Sequence, residues 1–160
     1  MPANQSGKSR FITILSIISI MVALYSIVEN ISTLSMQSSP EFQIVKQLLP
    51  SAFISPTTIL VEIALNVAAI IASIGLFMRL NWGRILYMVV LVLITVWEIY
   101  SSISSYMALN ALLTGYGLGS SLSLIVFGTI FGVGLNIYLI WKLSSDNIRF
   151  EFGRSNMRSL

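Results

Sequence analysis

The chain contains neither cysteine nor histidine. Without thiols there is no disulfide framework, thiolate zinc site or cysteine nucleophile, and without imidazole there is no Ser-His-Asp triad and no histidine haem ligand. Charge is scarce as well: Asp, Glu, Lys and Arg make up 9% of the 160 residues, against about 25% in soluble domains. Hydrophobic residues make up 56%. Such a chain cannot cover a water-facing surface without wide apolar patches, so the expected solvent is lipid. With the usual acid-base and nucleophilic residues missing, no enzyme, no cofactor and no metal site is expected.

What is present resolves into four apolar stretches, at about 11–36, 57–78, 85–113 and 120–143. Each meets the roughly 20 residues needed to cross a hydrocarbon core about 30 Å thick. Their apolar residues come in unbroken runs rather than in alternation, which predicts helices and not barrel strands. The expected fold is therefore all-α: an integral membrane four-helix bundle with antiparallel neighbours. A segment 1–10 precedes it. An outer loop 37–56, punctuated by Pro40, Pro50 and Pro56, has room for a short interfacial helix over 41–49. The inner turn 79–84 is short enough to force spans two and three side by side. An uncharged, Gly-rich outer turn covers 114–119, and an amphipathic tail covers 144–160.

Basic residues set the orientation, because they are retained on the cytoplasmic side. Eight of the nine, Lys8, Arg10, Arg79, Arg84, Lys142, Arg149, Arg154 and Arg158, fall on one side of a four-span arrangement, and only Lys46 on the other. Both termini are expected in the cytoplasm. The first apolar run is longer than the 7 to 15 residues of a signal-peptide core and lacks a good small-residue cleavage pattern, so it is read as a retained span.

Lipid tails compete for apolar side chains, so the helices must be held by close packing and polar contacts. Ala64, Ala68 and Ala72 recur every four residues in span two, and Gly128, Gly132 and Asn136 do so in span four. Each set shares a helical face. These stripes fit a dimerisation surface or, preferably, intramolecular packing of spans two and four, with Asn136 adding a hydrogen bond across the seam.

Three glutamates lie inside the spans: Glu29 in span one, Glu62 in span two, Glu98 in span three. At 1.5 Å per residue each is about 20 to 27 Å from the inner boundary, a shared outer layer. Thr58 and Asn66 flank Glu62 at four-residue spacing, and Thr95, Ser102 and Ser105 lie near the face of Glu98. No basic residue belongs to that layer. Glu62, Glu98, Glu29 and Asn66 thus form the candidate proton, cation or ligand site, set against the plainer reading of hydrated or protonated acids.

Arg79, Trp82, Arg84, Trp141 and Lys142 have the composition of interface anchors. In the tail, Ile148, Phe150 and Phe152 are interleaved with charged residues, Lys142, Arg149, Arg154 and Arg158 against Asp146 and Glu151, a pattern that suits anionic headgroups. Nucleic acid would need a denser basic surface.

The stretch Gly75-Leu76-Phe77-Met78-Arg79-Leu80-Asn81-Trp82-Gly83-Arg84 resembles the G-L-x-x-x-[RK]-x-x-W-[AG]-R hairpin of many small four-span bacterial inner-membrane proteins, with one residue fewer between Leu76 and Arg79. The tail 147–152 is similar to the amphipathic segment that often follows their last span. The resemblance covers about a tenth of the chain, and it implies a bacterial inner-membrane location without an activity. Small multidrug exporters also carry a membrane glutamate, but the residues around Glu29 do not match theirs. Animal tetraspan junction proteins need a cysteine pair that is absent.

Two functions remain as expectations. One is a non-catalytic membrane protein that binds a partner in or beside the bilayer: an accessory subunit, an envelope component or an immunity-type protein. The other is a small oligomeric transporter or channel that uses the outer-layer glutamates. The expected partners are the lipid bilayer and another membrane protein or a second copy of the chain.

Overall fold

The computed structural model describes residues 10–40, 42, 55–113, 120–149 and 152. Four long α-helices carry the fold: α1 Arg10–Gln37, α2 Pro56–Phe77, α3 Asn81–Leu113 and α4 Ser120–Ser144. All four are long and apolar enough to cross a membrane. Their outward faces are lined with large apolar side chains such as Met21, Ile71, Val92 and Phe131, a surface that suits a multi-pass membrane protein and not one surrounded by water. The interfacial helix expected over 41–49, most of the loop 37–56, the turn 114–119 and both chain ends lie outside the described residues.

Seven of the eight helix boundaries fall within one residue of those read from hydropathy, but α3 begins at Asn81, four residues before the expected 85. The reason is local. After α2 the chain closes a Schellman motif: the Arg79 N–H donates to the Leu76 carbonyl and the Leu80 N–H to that of Gly75, both at 3.0 Å. Arg79 takes the left-handed position of this motif, with φ 60°. That leaves only Arg79 and Leu80 between the C-cap residue Met78 and the next helix. Gly83, which looks in sequence like the residue that permits the reversal, lies in the first turn of α3 instead. A Cβ on Gly83 would stand 2.3 Å from the Gly75 carbonyl carbon and 2.6 Å from its Cα. The two glycines let α2 and α3 meet backbone to backbone, with the Trp82 ring laid against Gly75.

At its other end α2 starts on Ser55, whose hydroxyl accepts from the Thr57 N–H at 3.4 Å, followed by Pro56 at the first helical position. Neighbours in sequence are neighbours in space: α1 packs on α2, α2 on α3, α3 on α4. The helices run antiparallel. Thr13 near the start of α1 meets Arg79 after the end of α2, and Met88 early in α3 meets Ser144 at the end of α4. A hydrogen bond between Ser19 and Tyr87 ties α1 to α3. Arg10, Arg79, Arg84 and Lys142 therefore share one end of the molecule, the basic end.

The core is built towards that end. Ile12, Ala72, Leu76, Tyr87, Leu143, Ile148 and Phe152 belong to one buried cluster. Two of these, Ile148 and Phe152, come from the tail beyond α4. These two side chains thus pack on the bundle, while Phe150 lies outside the described residues.

Of the small-residue stripe on α2, Ala72 is buried, Ala68 half-buried and Ala64 exposed. A four-residue step drifts by about 40° around the helix, so the stripe leaves the seam as it climbs. The stripe on α4 behaves differently. Gly132 and Asn136 face α3, while Gly128 has nothing within 4 Å of where a Cβ would be. The two stripes do not meet each other: among the described residues α2 and α4 share no extended contact, and α3 stands between them.

Candidate functional site

Trp97 and Glu98 are consecutive on α3 and therefore point about 100° apart. Trp97 turns to α2, where its indole N–H donates to Glu62 Oε1 at 3.4 Å. Glu98 turns to α4, where Asn136 Nδ2 donates to its Oε2 at 3.3 Å. Two of the three glutamates thus lie at one level against different faces of α3, each held by one hydrogen bond from a neutral donor. Neither makes an ion pair with a described residue; Arg149 pairs with Asp146 at 3.7 Å in the tail.

Asn66 does not complete the Glu62 site. Its Nδ2 donates 2.8 Å to the backbone carbonyl of Glu62, one turn back along α2, and leaves the carboxylate to Trp97. Glu29 stands apart, exposed on α1, where Thr33 donates to its backbone carbonyl. The layer inferred from sequence is therefore not one cluster. Among the described residues no three acidic side chains come together as a metal site would require.

The α3–α4 seam carries the more developed polar arrangement. Asn136 is only 9% exposed. One turn away Gly132 leaves room for the carboxylate, Glu98 Oε2 lying 3.4 Å from where a Cβ would be. One turn further, Thr129 Oγ1 donates to Ser102 Oγ at 2.7 Å. Beyond this pair, away from the basic end, the helices part around an apolar cleft of about 460 Å³, lined by Ile99, Ile103, Tyr106, Met107, Val126 and Ile130 together with Ser102 and Thr129.

At the basic end the anchors divide. Trp82 and Trp141 are exposed, and Trp141 lies tilted on Tyr138 with ring centroids 6.1 Å apart. Lys142 is half-buried in the last turn of α4, where a cation suits the helix dipole. Arg79 reaches across to donate to Thr13 Oγ1 at 3.3 Å, and burial pulls its pKa below the ordinary arginine value. Arg84 turns inward. It is 8% exposed, its Nη1 donates to the Leu143 carbonyl at 3.3 Å, and its guanidinium lies 5.9 Å from the centre of the Phe152 ring. Lone placement beside the headgroups does not describe it.

Sequence reasoning found the acids but not their partners. Trp97 lies 35 residues from Glu62, and no periodicity links them. For Phe152 a signal existed in the apolar residues of the tail, but that pattern fits a bilayer surface as well as a bundle end. No protein-family model matches this chain, and neither a curated protein nor a solved structure matches it. The site is therefore read from its own geometry.

Proposed function

We propose that this chain is a non-catalytic, multi-pass protein of the bacterial inner membrane, with both termini cytoplasmic, that acts by binding another membrane segment along the open side of α4. The observation that carries this reading is the one-sided packing of α4. It leans on α3, while Gly128, Phe131, Leu135 and Tyr138, which share a stripe at helical spacing, are all exposed. An apolar face towards lipid is ordinary. A glycine in that face with open space before it is less so, because without a hydrophobic drive inside the bilayer helices associate where small residues let them approach. The basic residues gathered at one end support the orientation. The lack of cysteine and histidine supports a binding role over catalysis.

A photoreactive residue at Phe131, in membranes of cells making the full chain, tests this. The expected result is one protein adduct of defined mass at that position, none at Ile18 on the exposed face of α1, and loss of the adduct in Gly128→Leu. Lipid adducts alone at both positions would overturn the reading.

A second reading has its own observation, the Glu98 carboxylate held in the α3–α4 seam by neutral groups. An acid so placed is a candidate for proton or cation binding in a small oligomeric transporter or channel. Reconstituted vesicles decide it: Glu-dependent ion flux, lost in the Glu62→Gln, Glu98→Gln double variant, supports it, and absence of flux in the parent removes it.

A further inference from the structure

The Glu98 carboxylate and the apolar cleft beyond it belong to one seam. Going away from the basic end, α3 presents Glu98, Ser102 and Tyr106 at four-residue spacing. Opposite them α4 presents Asn136, Gly132, Thr129 and Val126. The seam therefore runs from an acid held by one amide, past a gap where Gly132 has no side chain, to a pair of hydroxyls, and then to about 460 Å³ of space.

A volume of that size lies within the range of roughly 300 to 1,000 Å³ typical of small-molecule sites, which combine apolar walls with a few placed polar groups. Here the polar groups are the Ser102 and Thr129 hydroxyls, on the side of Glu98. Ile103, Met107 and Ile130 in the wall are exposed, so a molecule dissolved in the bilayer reaches the cleft sideways, without arriving from water.

Charge narrows the class of ligand. Glu98 makes no ion pair with a described residue, and its one amide donor is neutral. Of the nine basic residues only Lys46 lies in a link remote from the basic end, and it is outside the described residues. An ionised carboxylate at membrane depth is costly without a partner, so the seam favours a cation. The two hydroxyl oxygens keep lone pairs while bonded to each other and accept from an ammonium N–H. Four residues of helix, about 6 Å, separate Ser102 from Glu98, a short range in a medium that screens weakly.

We infer that the cleft between α3 and α4 binds an amphiphilic ammonium: an apolar body against Tyr106, Met107 and Val126, N–H groups on Ser102 and Thr129, and Glu98 as the counter-charge. The inference rests on the second reading above only for the carboxylate as acceptor of a cation, and it requires no transport.

Octylammonium and octanol differ only in the head group, and equilibrium dialysis of the radiolabelled probes against the full chain in micelles, with empty micelles as blank, measures each. Both should bind saturably, the ammonium more tightly. Glu98→Gln keeps an acceptor for Asn136; it should weaken octylammonium about tenfold or more and leave octanol unchanged, which also checks that the variant is folded. Ile103→Trp fills the cleft from an exposed position and should remove both probes. Lys46→Gln should alter neither. Equal affinity of the two probes for the parent chain overturns the inference whatever the variants do, because the cleft would then take any apolar chain, a lipid tail included. Octylammonium held as tightly by Glu98→Gln as by the parent overturns it too, and so does tighter octylammonium in Lys46→Gln, since Lys46 would then be the partner of the acid. Glu98-dependent binding without ion flux in vesicles removes the transporter reading and leaves this one; flux without such binding does the reverse.

Discussion

Two glycines on different helices show how much depends on what a missing Cβ would meet. Gly83 abuts the backbone of Gly75, with 2.3 Å to its carbonyl carbon, whereas Gly128 faces open space. Gly83→Ala must push α3 away from α2, and overpacking of this kind costs about 1 to 3 kcal/mol. Gly128→Ala should leave stability of the isolated chain unchanged or slightly raised, because alanine is the better helix former. Unfolding of the purified variants in mixed micelles compares them; equal destabilisation by both would refute the assignment of Gly83 to the close contact. Arg79 offers a third measurement. Its left-handed backbone costs an arginine about 1 to 2 kcal/mol relative to glycine, while its guanidinium bridges to Thr13. Arg79→Gly should therefore recover most of the cost of losing that bridge, and Arg79→Ala, which keeps the backbone cost and loses the bridge, should be the less stable of the two.

At the scale of helices, the spans were legible because an uninterrupted apolar run has few other meanings, whereas the Ser55 cap that starts α2 shows only in the structure. The start of α3 was not, because Asn81-Trp82-Gly83-Arg84 has the composition of a turn and is helical only once Gly83 finds Gly75. Pairing was harder still. A stripe of small or polar residues states that a face is used, not by which neighbour, and α3 separates the two helices that carry the stripes. Glu98 and Asn136 were both visible as residues needing partners, yet 38 positions separate them. Their hydrogen bond should contribute about 0.6 to 2 kcal/mol in a bilayer. Asn136→Leu removes it, and so does Glu98→Leu; the double variant should lose no more than the larger of the two, provided the pair acts as a unit. A double-mutant cycle on unfolding free energies reads this, and strict additivity would show that the two side chains do not depend on each other.

Across the whole molecule, the few charges do more than stay out of the apolar surface. The helix order brings Arg10, Arg79, Arg84 and Lys142 to one end, although they lie up to 132 positions apart in the chain. No local pattern requires this; it follows from four antiparallel helices and from where the turns fall. Cytoplasmic retention of Lys and Arg then gives a definite prediction for insertion. Asn81 and Asn147 at the basic end, and Ser55 at the opposite end of α2, are all exposed. With no native cysteine, each can carry the only thiol in the chain. An impermeant maleimide added to right-side-out cells should label Ser55→Cys and neither of the others, and opening the cells should bring both Asn81→Cys and Asn147→Cys into reach. Labelling of Asn81→Cys from outside would invert the orientation, since retention would then act on the wrong end. Labelling of Asn81→Cys and Ser55→Cys from one side would be the deeper failure, because α2 lies between them and the result would mean that this helix does not cross.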